Sequence, residues 1–200
     1  MKTALIALTL VTTLQAGMAQ EHLSREETLK YAFLVSLDLP RLTGTPLATD
    51  VDVKRAVAMR DGDYGAMVLP EAKLAPDTLA NVRQDALPVG QLWLHQLTPM
   101  REGSAIPSDE LRLAEVTHNE GTTSVPQCTL AVRRSGSGQL ELAILGKTTQ
   151  PLLTVPLKTI EVKQQPQPIE MAASREDSTS GQITLRILGR YEASVPVTEL

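Results

Sequence analysis

The chain has 200 residues, with 19 Lys and Arg against 23 Asp and Glu, for a formal net charge of −4. This mildly acidic balance disfavours nucleic acids and anionic lipid surfaces as partners. Cys128 is the single cysteine, which excludes an intrachain disulfide. With three Tyr, one Trp and one Phe, the chain is also too poor in rings for a multi-ring stacking platform. We expect no nucleic-acid partner and no cofactor.

The first nineteen residues have the layout of a secretory signal peptide. Lys2 gives a positive start, Thr3 to Leu14 is uncharged and largely apolar, and Gly17 and Ala19 place small residues at the −3 and −1 positions. This apolar run is too short to span a bilayer, and no later stretch is apolar over about eighteen residues. We therefore expect removal of residues 1–19 and a soluble product in the bacterial periplasm or outside the cell. The free cysteine favours the periplasm.

Residues 20–60 are expected to form an N-terminal helical segment. Ser24 and Glu27 are spaced as a capping box, which predicts a helix over about 25–38. Apolar residues follow at helical spacing: Leu29, Phe33, Leu34 and Leu37. Residues 40–49 predict a loop. Residues 50–60 favour a helix, with a strand as the alternative.

From residue 61 onward the apolar residues alternate with a period of two, which is typical of half-buried strands. A helical turn is expected at 75–82, a hairpin turn at 134–138 and a two-residue turn at Gly189-Arg190. Regularly spaced short strands of this kind predict a mainly β domain over 61–200, an antiparallel β-sandwich or a partly open barrel. The strands are predicted at 64–69, 89–97, 111–118, 127–132, 140–144, 153–157, 169–173, 183–187 and 191–197.

The sequence contains one internal echo. Residues 140–147 resemble residues 183–190, and a Val-Pro strand follows each copy. The echo indicates two equivalent hairpins, one in each sheet, although apolar hairpins also converge on such patterns. Pro156 and Pro196 fall on outward faces, which favours edge strands or bulges at both positions.

Motifs for nucleophilic catalysis are missing from the sequence, which lacks a Gly-x-Ser-x-Gly elbow. By alternation, Cys128 shares a strand face with Leu130 and Val132, so a buried and inert thiol is favoured over a reactive one. An enzyme is therefore not the favoured class.

Four residues are the candidates for a metal site: His95, His118, Asp61 and Asp63. The two histidines are near strand ends and could meet across strands, but zinc would need a further ligand. Residues 61–65 resemble part of a calcium loop but lack its third oxygen ligand and distal Glu. A polar turn before a strand is the simpler interpretation.

Binding candidates lie on the predicted strand over 91–97, which has large apolar side chains on both faces. Trp93, His95 and Leu97 share one face. Two interpretations stay open: the N-terminal helix covers this face with Leu29, Phe33 and Leu37, or Trp93 and Leu97 belong to an exposed partner-binding patch.

A second candidate binding site is the pair Arg133 and Arg134, which precedes a predicted hairpin turn. These arginines could meet an acidic partner, although solvated surface charge is the simpler interpretation. Residues 161–180, rich in Gln, Pro, Ser and Glu, suggest a long loop.

The function expected from these observations is an exported, non-catalytic binding or interaction module, with a protein or another envelope component as partner. One alternative is a cell-envelope enzyme acting on an exported polymer. Another is a structural or assembly accessory of the envelope that docks through the N-terminal segment or residues 161–180.

Overall fold

A computed structural model describes residues 20–38, 46–80, 82, 85–118 and 121–200. Within these residues the chain is mainly β and forms two antiparallel sheets, so the predicted sandwich is confirmed. The predicted signal peptide and residues 40–45 of the predicted loop lie outside the described residues.

The described residues form these elements in chain order: β1 Glu21–His22, α1 Arg25–Asp38, a 3-10 helix Val53–Arg55, β2 Val57–Asp61, β3 Tyr64–Pro70, α2 Pro76–Ala80, β4 Leu87–His95, β5 Leu97–Arg101, β6 Ser104–Ala105, β7 Leu113–His118, β8 Gly121–Arg134, β9 Leu140–Leu145, β10 Pro151–Pro156, β11 Lys158–Thr159, β12 Ile169–Arg175, β13 Ser180–Ile187 and β14 Tyr191–Glu199. In the described residues the first sheet has the order β1-β2-β3-β4-β8-β9-β10, with β7 paired to β8, and the second has the order β12-β13-β14-β5-β6, with β11 paired to β14. The chain thus passes between the sheets in blocks of consecutive strands.

The main core fills the space between the sheets, and the strands contribute every second side chain to it. On β13, Ile183, Leu185 and Ile187 are buried while the residues between them are half-exposed. Cys128 and Leu130 of the first sheet belong to the same cluster, as their alternation predicts.

A second core lies on the outer face of the first sheet, under α1 and β7. Trp93 is 2% exposed there and packs in a cluster that includes Ala32 and Val35 of α1. Its Nε1–H donates to Gln91 Oε1 at 3.1 Å, and Gln91 Nε2 donates to Thr49 Oγ1 at 2.7 Å. A buried indole therefore keeps a partner for its polar atom.

The helix covers this face with a different stripe from the one predicted. Thr28, Ala32 and Val35 are buried, whereas Phe33 and Leu37 are 59% and 54% exposed. Ala32 and Val35 belong to the same buried cluster as Trp93, together with Ala114 and Val116 of β7. The interpretation of Trp93 as part of an exposed patch is wrong. The face is covered by α1 together with β7, but not through Phe33 and Leu37 as expected.

Two boundaries also differ from the sequence analysis. The chain changes sheets at Gln96, whose φ is 57°, so Leu97 begins β5 in the second sheet and does not share a strand with Trp93. The helix favoured for 50–60 is wrong except at Val53–Arg55, because residues from Val57 to Asp61 form β2.

The echoed segments form hairpins in different sheets, β9–β10 in the first and β13–β14 in the second. At each of the equivalent glycines, Gly146 and Gly189, a backbone carbonyl oxygen of another segment occupies the space that a Cβ would need. A Cβ at Gly146 would lie 2.5 Å from Glu110 O, and one at Gly189 would lie closer still to Lys163 O. The tight turn has positive φ at Leu188 and Gly189, one residue earlier than predicted.

The burial of Trp93 gives a matched pair of substitutions on two elements that share the second core. Trp93→Ala should lower the free energy of unfolding by about 3–5 kcal/mol, because it leaves a cavity in the second core. Phe33→Ala should change it by less than about 0.5 kcal/mol, since that ring is exposed. Urea unfolding of both variants measures the difference, and equal losses would contradict this packing of α1.

A second glycine with nearly the same φ, Gly62, separates the steric cost of the Lys163 carbonyl at Gly189 from the cost of the left-handed backbone. Gly62 has φ 61° and open space within 4 Å of the point where a Cβ would lie, whereas Gly189 has φ 64° and the Lys163 carbonyl in the way. Gly62→Ala should cost about 1 kcal/mol of left-handed strain, and Gly189→Ala about 3 kcal/mol or more. Thermal or urea unfolding tests this, and equal costs would show that the carbonyl moves aside freely.

Candidate functional site

In the described residues a concave surface runs along the outer edge of β12, the end strand of the second sheet. One cleft of about 500 Å³ is lined by residues of β1, β2, the first turn of α1, β12 and β13. A second cleft, of about 80 Å³, is lined by Ala173 and Arg175 of β12 and by residues that flank the β2–β3 turn. We call the two together the edge trough. The larger cleft falls in the range of about 300–1,000 Å³ that is typical of ligand-binding clefts.

The floor of the edge trough is a regular strand edge. All seven residues of β12 pair with β13 without a register shift. Leu188 N donates to Pro168 O, and Glu176 N donates to Ser180 O, so the even-numbered residues bond β13. The N–H and C=O groups of Met171, Ala173 and Arg175 therefore point away from β13.

The edges of the two sheets differ in their protection. Strand β10, the far edge of the first sheet, carries Pro151 and Pro156 and has a register shift, features that block strand addition. Strand β12 carries neither proline nor lysine and has no shift. Its edge is thus chemically able to accept another strand. Pro156 is confirmed on an edge, and Pro196 lies between the parts of β14 that pair with β11 and β5.

The first turn of α1 forms the opposite wall, fixed by the capping box that the sequence predicts. Ser24 N and Oγ donate to the Glu27 carboxylate at 3.2 and 2.7 Å, and Glu27 N donates to Ser24 Oγ at 3.3 Å. These bonds hold the pKa of Glu27 below its ordinary value. Arg25 Nη1 donates to Ala56 O at 2.9 Å, which anchors the wall to the segment before β2.

The larger cleft has an excess of positive charge. Arg25 and Arg186 line it together with Glu170, and His22 stands at its rim. Arg186 also donates to Glu192 at 3.5 Å, and Arg25 donates to Ala56 O and Lys54 O, so part of this positive charge is already engaged within the molecule. Among the lining residues two arginines still stand against one carboxylate, which favours an acidic group over a basic one on a bound molecule.

An ion pair spans the trough at its narrow end. Arg175 Nη2 of β12 donates to Asp61 Oδ2 of β2 at 2.9 Å, and the Asp61 side chain is 17% exposed. Nearby, Tyr64 Oη donates to the Glu199 carboxylate, which raises the pKa of Tyr64. Asp177 accepts bonds from Thr179 and Ser180 in the turn after β12, and these lower its pKa to about 2.

The predicted binding residues are scattered. Trp93 is buried under α1, and Leu97 packs on the main core from the second sheet. His95 is exposed at the end of β4, opposite Gly65. Arg133 lies 3.4 Å from Glu141, and Arg134 donates to Val82 O and Gly138 O at 2.9 and 2.8 Å. These contacts engage both arginines within the molecule.

The four metal candidates do not form a common site in the described part of the chain. No three His, Cys, Asp or Glu side chains gather there as metal ligands. Asp61 is engaged by Arg175, and Asp63 is exposed in the β2–β3 turn. His118 pairs with Gly121 at the end of β7, and its side chain is outside the described residues.

Cys128 is a core residue, as its alternation predicts. It is free and fully buried in the inter-sheet core. Burial raises the pKa of its thiol to about 12, so the nucleophilic thiolate is scarce at neutral pH.

The sequence predicts a strand at 169–173 and offers residues 161–180 as one docking element, but it does not single out the edge of β12 as a binding site. Two signals could have identified it: the run Ala172-Ala173-Ser174 is small, and the strand lacks the proline found in both echoed hairpins. Which strand lies at an edge is set by the pairing of distant segments, and local alternation does not encode that.

Comparisons with models of protein families, with curated proteins and with solved structures gave no match. In the part of the chain that the structure describes, no helix is long and apolar enough to cross a membrane.

Proposed function

We propose that this protein is an exported, non-catalytic binding module that acts in the bacterial periplasm or outside the cell and holds a protein of the envelope in the edge trough. The observation that carries the proposal is the unprotected edge of β12 at the floor of a cleft of about 500 Å³. Export is supported by the signal-peptide layout of residues 1–19.

Two separate parts of the chain, the N-terminal segment and the stretch 161–180, form the walls of the larger cleft. The N-terminal segment contributes Leu23 and Arg25, and the stretch 161–180 contributes Pro166, Gln167 and β12. Backbone hydrogen bonds to the sheets fix both segments in position. Leu23 N donates to Ala58 O at 3.0 Å, and Lys163 N donates to Gly189 O at 2.9 Å. A site with fixed walls loses less conformational entropy when it binds.

A photo-crosslinking experiment in cells tests this role. A protein carrying Ala172→benzoylphenylalanine, in the trough, should crosslink to a discrete partner, because the Ala172 side chain is exposed and lines the cleft. The matched control is Thr154→benzoylphenylalanine, exposed on the proline-protected edge strand β10. Crosslinks of equal pattern at both positions, or none at Ala172, would contradict the proposal.

A further inference from the structure

We propose that the occupant of the edge trough is one extended peptide segment of a partner protein, which adds to the second sheet as a strand beside β12. The inference rests on the proposed function and names the chemistry of its partner. Main-chain hydrogen bonds would supply affinity, and side chains alternating between the trough walls would supply specificity.

The backbone chemistry at the trough floor fits an added strand. Met171, Ala173 and Arg175 direct their N–H and C=O groups towards the side opposite β13, at the spacing of two residues that a neighbouring strand requires. No backbone partner in the described residues takes these groups. A small molecule with one or two polar groups would leave most of this row unused.

The shape of the trough favours a single segment over a second copy of the sandwich. Met171 lines the cleft although the residue is only 3% exposed, so the outer edge of β12 at this residue lies beneath the wall formed by β1, β2 and α1. A single extended segment is the narrowest form of chain that could enter between β12 and this wall, which favours a peptide over the edge of a second folded sandwich.

The charges of the trough predict one feature of the peptide sequence. Arg25 and Arg186 line the cleft with Glu170. Arg25 already donates to Ala56 O and Lys54 O, and Arg186 to Glu192, so a peptide carboxylate would accept their remaining N–H groups. A peptide with an Asp or Glu placed towards these arginines therefore gains charge-assisted hydrogen bonds, whereas a Lys at the same place meets repulsion.

Synthetic peptides test the strand mode without knowledge of the natural partner. The probes are capped, fluorescent heptapeptides of alternating Thr and Val, with Asp, Lys or Ser scanned through the positions, and binding to the full chain is measured by anisotropy. The best Asp peptide should bind about tenfold more tightly than its Lys counterpart. No binding by any of these peptides, or tighter binding of the Lys series, would overturn the proposal.

Selective N-methylation of the best peptide then identifies the hydrogen-bonding edge. Alternate amides of a strand point to opposite sides, so methylation of the odd or of the even positions blocks one edge each. One methylated form should lose at least about tenfold in affinity, and the other should retain binding. Retention by both forms, or loss by both, would overturn strand addition.

A variant pair tests the same edge from the side of the protein. Ala173→Pro removes an outward N–H while leaving the bonds of Ala172 and Ser174 to β13 in place, and should weaken the best peptide at least about tenfold. Thr154→Ser, the control, changes an exposed side chain on β10, outside the trough, and should bind as the parent chain does. Unchanged binding by a folded Ala173→Pro protein would overturn the inference, and the peptide methylation test decides it if that variant does not fold.

The outcomes separate this inference from the proposed function. If the Ala172 crosslink in cells persists while both methylated peptides bind equally, the trough is the site but the occupant is not an added strand. If the crosslink is absent, the proposed function fails as well. Association of two copies that is lost in Ala173→Pro, seen by sedimentation, would replace the peptide with a second copy.

Discussion

The structure depends on the fact that the first sheet is apolar on both faces. Its inner face meets the second sheet, and its outer face carries Trp93 with Met67 and Leu69, which need cover from water. Helix α1 supplies that cover through Ala32 and Val35. Covering the outer face brings the capped first turn of α1 to the edge of the sheet, and this creates a wall opposite β12. The candidate site is therefore a consequence of core packing.

The second feature of the site is the outer edge of β12. The end strands of a sandwich have unpaired backbone groups that can pair with another chain, and the two long end strands, β10 and β12, differ in their protection against this. Strand β10 has two prolines and an irregular register, whereas β12 is regular and lies at the floor of a trough. The ion pair between Arg175 and Asp61 joins the sheets at one end of that trough, and no such link joins them at the wider end among the residues that the structure describes.

Much of the fold could be predicted because its signals are local. The capping box of Ser24 and Glu27, the inward alternation around Cys128 and the echoed hairpins all appear in the structure. The failures involve choices made by distant contacts. The face of α1 that packs is the one that joins Ala32 and Val35 to the cluster of Trp93, Ala114 and Val116, and the change of sheet at Gln96 goes with the pairing of β5 to β14.

The site was less predictable than the fold for the same reason. Large or charged residues such as Trp93 and Arg134 are candidate binding residues in the sequence, yet Trp93 packs in the second core and Arg134 donates to the Val82 carbonyl. The groups that remain available on β12 belong to the backbone, and their direction depends on which neighbour the strand lacks. Composition and spacing carry little information about backbone groups of this kind.

Amide hydrogen exchange along β12, followed by NMR on the free protein, tests the central claim most directly. The N–H groups of Ala172 and Ser174 bond β13, so they should exchange at least about tenfold more slowly than those of Ala173 and Arg175, which face the trough. Equal protection of all four amides would mean that the outer edge of β12 is already paired, and would contradict an edge available for binding.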